Sequence, residues 1–97
     1  MKLREWESVK APSGSNSEVQ AGYAEAKLAS ELGSKVRAIR LKRGLTQKQL
    51  AELAGMTQSA VARFEAGGTT PTLAVLSRLA QALGMSLTVD LKPKKVA

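Results

Sequence analysis

Thr46-Gln47-Lys48-Gln49-Leu50-Ala51-Glu52-Leu53-Ala54-Gly55-Met56-Thr57-Gln58 decides how the rest of this chain is read. Thr46 offers the hydroxyl of a helix N-cap, and Leu50, Leu53 and Ala54 follow at the spacing of one apolar helix face. Gly55 stops that helix, with Met56 packing under the turn. Thr57 is a second cap, opening a helix from Gln58 to Ala66 that ends at Gly67-Gly68, with Val61 and Phe64 inside. Two short helices joined by a few residues, with Gly at the bend, have the spacing of a helix-turn-helix.

The charge around this stretch is uneven. Residues 34–63 hold seven basic side chains (Lys35, Arg37, Arg40, Lys42, Arg43, Lys48, Arg63) against Glu52 alone. Residues 1–33 hold five acidic side chains (Glu5, Glu7, Glu18, Glu25, Glu31) against Lys2, Arg4, Lys10 and Lys27. A basic face kept for solubility would not need to coincide with a helix-turn-helix. The coincidence favours a footprint for the phosphates of double-stranded DNA.

Composition narrows the alternatives. The chain has 97 residues, enough for one domain with a tail, and is 43% hydrophobic with one Phe, one Trp and one Tyr. A core of Leu, Ala, Val, Ile and Met suits a small helical bundle. There is neither Cys nor His, which excludes disulfides and zinc fingers built on those ligands and removes the commonest nucleophile and general base. No carboxylate pair or phosphate loop is recognisable. The expectation is a non-enzymatic protein with no cofactor and no bound metal. No apolar run approaches the ~20 residues that span a membrane, and Met1–Glu7 lacks the apolar core of a secretion signal. A soluble, cytoplasmic protein with no membrane partner is expected.

Outward from the motif, Pro12-Ser13-Gly14-Ser15-Asn16 reads as a loop, and Ser17 as the cap of a helix from Glu18. Gly33 interrupts this helical pattern, which resumes with Val36, Ile39, Arg40 and Arg43 until Gly44. One long helix bent near Gly33 and two consecutive helices both fit. After the loop Gly67–Pro71, Thr72 caps Leu73–Leu83, whose apolar stripe is Leu73, Leu76, Leu79, Ala80 and Leu83. From Met85 the period becomes two: Met85, Leu87, Val89 and Leu91 alternate with polar residues, the pattern of a β-strand. A lone strand needs a partner for its backbone. A second copy of the chain is the natural one, giving a homodimer through Leu87, Val89 and Leu91. Pairing with Leu3–Val9 or with another protein's sheet is the rival. Pro93-Lys94-Lys95 closes the strand into a basic tail.

The stretch from about Leu32 to Leu83 resembles the Xre/Cro helix-turn-helix family of bacterial and phage repressors. The residues that carry the resemblance are Val36-Arg37-x-x-Arg40, Gly44-Leu45-Thr46-Gln47, Leu50-Ala51, Gly55-Met56-Thr57-Gln58-Ser59-x-Val61, Phe64-Glu65-x-Gly67, Pro71-Thr72, Leu76 and Leu79-Ala80-x-x-Leu83-Gly84. The flanks, an acidic Trp-containing segment leading to Val19-x-x-x-Tyr23 and a terminal strand, resemble HigA-type antitoxins. These neutralise RelE/HigB-like ribonuclease toxins and repress their own operon.

The resemblance implies roles. Thr57 caps a recognition helix whose Gln58, Ser59 and Arg63 face base edges in the major groove, Gln matching adenine and Arg forking onto guanine. Gln47, at the start of the preceding helix, holds a phosphate. Arg43, Lys48, Thr69 and Thr70 are further phosphate candidates. Arg40 and Glu65 pair across the fold; two independent surface charges are the alternative. Trp6, Val19, Tyr23 and Leu28 are candidate anchors for a toxin, although Trp6 also suits the protein's own core.

The expected fold is therefore mainly α: an Xre/Cro bundle with an extended N-terminal helix and a C-terminal β-strand. The expected divisions are an arm at residues 1–30, a DNA-binding domain at 31–84, and a dimerising strand with its tail at 85–97. The expected function is an operator-binding repressor and antitoxin. A stand-alone regulator without a toxin is the alternative, and a protein-interaction adaptor is a third possibility that the basic stretch disfavours.

Overall fold

The computed structural model describes residues 14–94. They form four helices: α1 (Gly14–Lys42), α2 (Gln47–Ala54), α3 (Gln58–Glu65) and α4 (Leu73–Ala82). α2 packs against both α3 and α4, and α1 packs against α3. Among the described residues no helix is long and apolar enough to cross a membrane.

The short helices begin where their caps dictate. Thr46 Oγ1 accepts from the Gln49 N–H at 3.0 Å, and the Gln49 side chain accepts from the Thr46 N–H at 2.9 Å. This reciprocal box satisfies two donors that the first turn of α2 would otherwise leave open. Thr57 and Thr72 each accept from the N–H three residues on, at 3.1 Å. Between α2 and α3 the chain turns at Gly55, whose φ of 68° is the left-handed conformation that glycine adopts without a Cβ clash.

The core is Leu50, Ala51, Ala54, Val61, Phe64, Leu79 and Leu83, with Leu32, Val36, Ile39, Leu45, Met56, Val75 and Leu76 half-buried around it. Two leucines expected inside lie outside it: Leu53 is 61% exposed and Leu73 64%. On α2 the buried stripe is centred between Leu50 and Ala51, and Leu53 falls roughly 100° away from it. Ala51 takes the interior place. Leu73 is the first residue of α4, at the end away from the buried Leu79 and Leu83.

α1 is continuous through Gly33 and, at 29 residues, about 43 Å long. It starts earlier than the sequence suggested. Gly14, Ser15 and Asn16 are helical, and Ser17 lies within the helix rather than at its cap. Its inner stripe is Ala29, Gly33, Val36 and Arg40, spaced four, three and four residues apart. Gly33 is present for proximity, not for a bend. A Cβ built there would stand 2.3 Å from the Phe64 carbonyl oxygen and 2.8 Å from that of Glu65. Gly22 to Leu28, the stretch of α1 just before this stripe, are all exposed.

The expected C-terminal β-strand is corrected. Residues 85–94 carry no strand; the Met85 N–H donates to Ala80 O at 2.7 Å at the exit from α4, and the Leu91 N–H donates to the Asp90 side chain at 2.9 Å, neither bond forming a ladder. Alternation supplies a strand's side-chain pattern, but a strand exists only when its N–H and C=O groups are paired. No second segment among the described residues offers such an edge.

Candidate nucleic-acid interface

Three elements are locked together behind the helix-turn-helix by one buried carboxylate. Arg40 comes from the last turn of α1 and Glu65 from the end of α3, and both are more than nine-tenths buried. Arg40 Nε donates to Glu65 Oε2 at 2.7 Å, and its Nη2 donates to Oε1 at 3.0 Å. The remaining arm, Nη1, donates to the Leu45 carbonyl oxygen at 2.8 Å, fixing the loop before α2. Gln47, the first residue of α2, donates from Nε2 to Glu65 Oε1 at 3.1 Å.

The fork-to-fork geometry is the strong form of an Arg–carboxylate pair. Burial alone would push the Glu65 carboxyl up. Hydrogen bonds from Arg40 and Gln47, with the charges of Arg40 and Arg37, outweigh it and hold the carboxyl below its ordinary value. The hydrogen bond to Glu65 outweighs desolvation at Arg40 and holds the guanidinium above its own. Both groups are therefore charged at neutral pH. Among the described residues no buried side-chain nitrogen or oxygen lacks a partner.

In front of this frame the candidate contact residues are open to solvent. Thr57, Gln58, Ser59 and Arg63 are exposed, while Ala60 and Ala62 are half-buried. Ser59 and Arg63, four apart, lie one above the other on α3, and Gln58 stands one residue further round. The Arg63 stem lies over the loop beyond α3, where its Cγ is 3.2 Å from the position of a Cβ on Gly68. Lys48 is exposed beside the half-buried Gln47 at the start of α2.

The other candidates are distributed differently. Arg43 sits at the exit from α4, its Nη2 3.6 Å from Met85 Sδ and its Nη1 3.0 Å from the Cβ position of Gly84. Thr69 and Thr70 line a shallow, open groove against α1, facing Gly22, Glu25 and Ala29. Tyr23 is 78% exposed and Leu28 57%, both on the outer half of α1. Val19 lies on α1, and Trp6 lies outside the described residues. Leu87, Val89 and Leu91 are exposed in the C-terminal segment.

Two features escape sequence reading. The Gln47–Glu65 bond joins residues eighteen apart on different helices, and no periodicity signals it. The close approach at Gly33 hides because a helical glycine is also a helix weakener; its one clue is the small Ala29 four residues earlier on the same face.

These features place the chain among known proteins. It is 36% identical over 55 residues to the HTH-type transcriptional regulator PuuR of Escherichia coli, a match covering 57% of this chain and 30% of that protein. The chain thus spans less than a third of that relative's length. In structure it is similar to the restriction-modification controller protein C.AhdI from Aeromonas hydrophila, with a TM-score of 0.59 and 33% identity, covering 60% of this chain and 88% of that one. A chain of a toxin–antitoxin module from Streptococcus pneumoniae matches over 89% of this chain and 90% of its own, with a TM-score of 0.56 and 29% identity. Residues 36–89 match the HTH_3 helix-turn-helix family, the Xre-like one, over more than half of the sequence, and the chain belongs to that family.

Proposed function

We propose that this protein is a sequence-specific regulator of transcription that binds double-stranded operator DNA as a homodimer. The observation that carries the proposal is the exposed face of α3, with Gln58 and Ser59 at its start and Arg63 in its last turn open to solvent, the helix held by a buried ion pair beside the most basic part of the chain. A recognition helix must present its side chains in a fixed register, and a rigid base lowers the ordering cost of binding. Arg63→Ala or Gln58→Ala should cost about 1–3 kcal/mol on the cognate operator and little on random duplex. If four phosphates are neutralised in each half-site, log K should fall with log salt at a slope of about −7. A salt-independent affinity, or unchanged operator binding by Gln58→Ala, would refute the assignment.

The dimer interface we assign to the exposed Leu87, Val89 and Leu91. Removing residues 85–97 should leave a monomer by light scattering and collapse operator affinity, because two half-sites must be held about one DNA turn apart.

The finer reading is a repressor that is also an antitoxin for a RelE/HigB-like ribonuclease toxin. Two facts support it. The likeness to the pneumococcal toxin–antitoxin chain reaches beyond the helix-turn-helix into the N-terminal part of the chain, where that to C.AhdI covers 60%. The N-terminal third holds five of the chain's eight acidic residues, and Tyr23 and Leu28 are exposed on the free half of α1. Such an arm complements the basic surface that a ribonuclease needs for RNA. Deleting residues 1–30 should abolish growth rescue beside a co-expressed toxin and spare operator binding in a gel shift. Rescue by the truncated protein would remove the arm from the mechanism. A stand-alone regulator is the second reading, favoured by the likeness to PuuR.

A further inference from the structure

Helix α1 and the loop beyond α3 pinch together where the Cβ position of Gly67 stands 3.0 Å from the Ser30 Cα. Beside this point the two leave an open groove of about 210 Å³ that extends along α1 as far as Gly22. Its lining is mostly small: Ala26 and Ala29 from α1, Gly67 and Gly68 from the loop. Glu25, Thr69 and Thr70 add acceptor oxygens. Pockets for small molecules are larger, about 300–1,000 Å³, and enclose most of their ligand. A shallower groove suits one large side chain laid flat, with a donor at its edge.

Before Gly14 the chain supplies one such side chain, Trp6. Indole is flat and apolar, and its single polar group, Nε1–H, donates and cannot accept. Leu3 and Val9 have no side-chain donor, and the donors of Lys2, Arg4 and Lys10 are charged and strongly hydrated. Length agrees as well. Trp6 lies eight residues before Gly14, a stretch that spans up to about 26–29 Å. Along α1 the groove lies between about 12 Å (Gly22) and about 22 Å (Ala29) from Gly14. Pro12-Ser13, just before the helix, are residue types that favour the reversal this path needs.

The geometry points to this groove as a docking site for the chain's own N-terminal segment, with Trp6 laid over Ala26 and Ala29 and its indole N–H given to an acceptor on the rim. Seated there, Trp6 covers Thr69 and Thr70 and ties the N-terminal segment to the DNA-binding domain. The contact needs neither DNA nor a toxin. It therefore goes beyond the proposed function and is tested on the free protein.

Trp6 is the chain's one tryptophan, so fluorescence of the full chain, excited where tyrosine does not absorb, reads its surroundings directly. Emission should lie at shorter wavelength than in the urea-unfolded chain, and acrylamide should quench it less steeply. Emission at the wavelength of the unfolded chain would leave the groove empty and overturn the proposal. Ala26→Arg fills the groove at an exposed position, and Ala24→Arg puts the same charge on the far side of α1. With circular dichroism showing both variants folded, Ala26→Arg should lose the shift and Ala24→Arg should keep it. A shift kept by Ala26→Arg, or lost equally by both, would overturn the assignment to this groove. A shift that grows in only as protein concentration rises would make a second copy the occupant and overturn the assignment to the chain's own segment. A further measurement depends on no variant. In isotope-labelled wild type, the indole ring protons of Trp6 should show nuclear Overhauser contacts to the methyl groups of Ala26 and Ala29, and their absence would refute the seat.

Discussion

Replacing Gly33 by Ala sets two physical effects of opposite sign against each other. In an exposed helix interior the change stabilises by about 1 kcal/mol, because Ala orders at a smaller loss of backbone entropy. At position 33 the new methyl group arrives 2.3 Å from the Phe64 carbonyl oxygen and 2.8 Å from that of Glu65. Carbon–oxygen contacts of this kind settle near about 3.3 Å, so the end of α3 must retreat by roughly 1 Å. The obstacle is backbone, and it carries the residue whose carboxylate receives Arg40 and Gln47. No rotamer change relieves it. Overpacking of this sort costs about 1–3 kcal/mol or more. Contacts this short against backbone put the cost in the upper part of that range, about 2–3 kcal/mol. With the helix gain subtracted, Gly33→Ala should destabilise by about 1–2 kcal/mol and lower the melting temperature by roughly 5–15 °C. Gly22 provides the control on the same helix, since a Cβ there meets nothing within 4 Å. Gly22→Ala should be neutral or stabilising by up to about 1 kcal/mol. Urea titrations of the three proteins, fitted with a common slope, read both effects. A Gly33→Ala variant as stable as wild type would refute the close approach of α1 to α3.

Other variants test the frame behind the interface. Glu65→Ala strands a buried guanidinium and should cost about 3–5 kcal/mol in urea unfolding, whereas Arg40→Met with Glu65→Leu should recover most of that loss. Because the Glu65 carboxyl is held below its ordinary value, its contribution to stability is complete above the unfolded value of about 4.3 and is lost as pH falls through the folded one. The urea midpoint of the wild type should therefore drop more steeply below about pH 4 than that of Glu65→Gln, and parallel curves would remove Glu65 from the acid transition. Thr57→Ala deletes the bond to the Ala60 N–H and should cost about 1 kcal/mol. Equal melting of this variant and wild type would show that cap to be idle.

The helix-turn-helix was legible because each of its signals is local. Thr46, Thr57 and Thr72 act within one turn, and Gly55 acts on its own dihedral angles. Val61 and Phe64 are interior because three-residue spacing on an eight-residue helix leaves little choice. What stayed hidden depends on neighbours distant in sequence. Leu53 and Ala51 compete for the inner face of α2, and the choice falls to where α3 and α4 lie. The period-two segment from Met85 has the pattern of a strand but no ladder among the described residues. Gly33 carries the same letter whether it breaks a helix or admits another backbone. For the interface, the exposed residues on α3 follow from the motif, but the bond that ties Gln47 to Glu65 is visible only once both helices are in place.

One helix connects the two halves of the proposed function. Tyr23 and Leu28, candidate anchors for a toxin, lie on the same continuous α1 as Arg40, which grips the end of α3. Between them is a short zone where α1 touches the end of α3 and the turn beyond it: Gly33 against the carbonyls of Phe64 and Glu65, and Ser30, whose Cα lies 3.0 Å from the Cβ position of Gly67. The outer face of α1 and this inner zone therefore make different predictions. Tyr23→Asp places a charge on a side chain that is 78% exposed and touches nothing in the core. It should impair toxin capture and leave duplex affinity and melting temperature within error of wild type. A bulky residue at Ser30 or Gly33 should disturb the seat of α3, and with it both DNA affinity and stability, while the outer face remains intact. Pull-down of the co-expressed toxin beside duplex titration reads both properties on each variant. If Tyr23→Asp lost duplex binding as well, the outer half of α1 would belong to the DNA interface, and the division between arm and DNA-binding domain would fall at a different place on the helix.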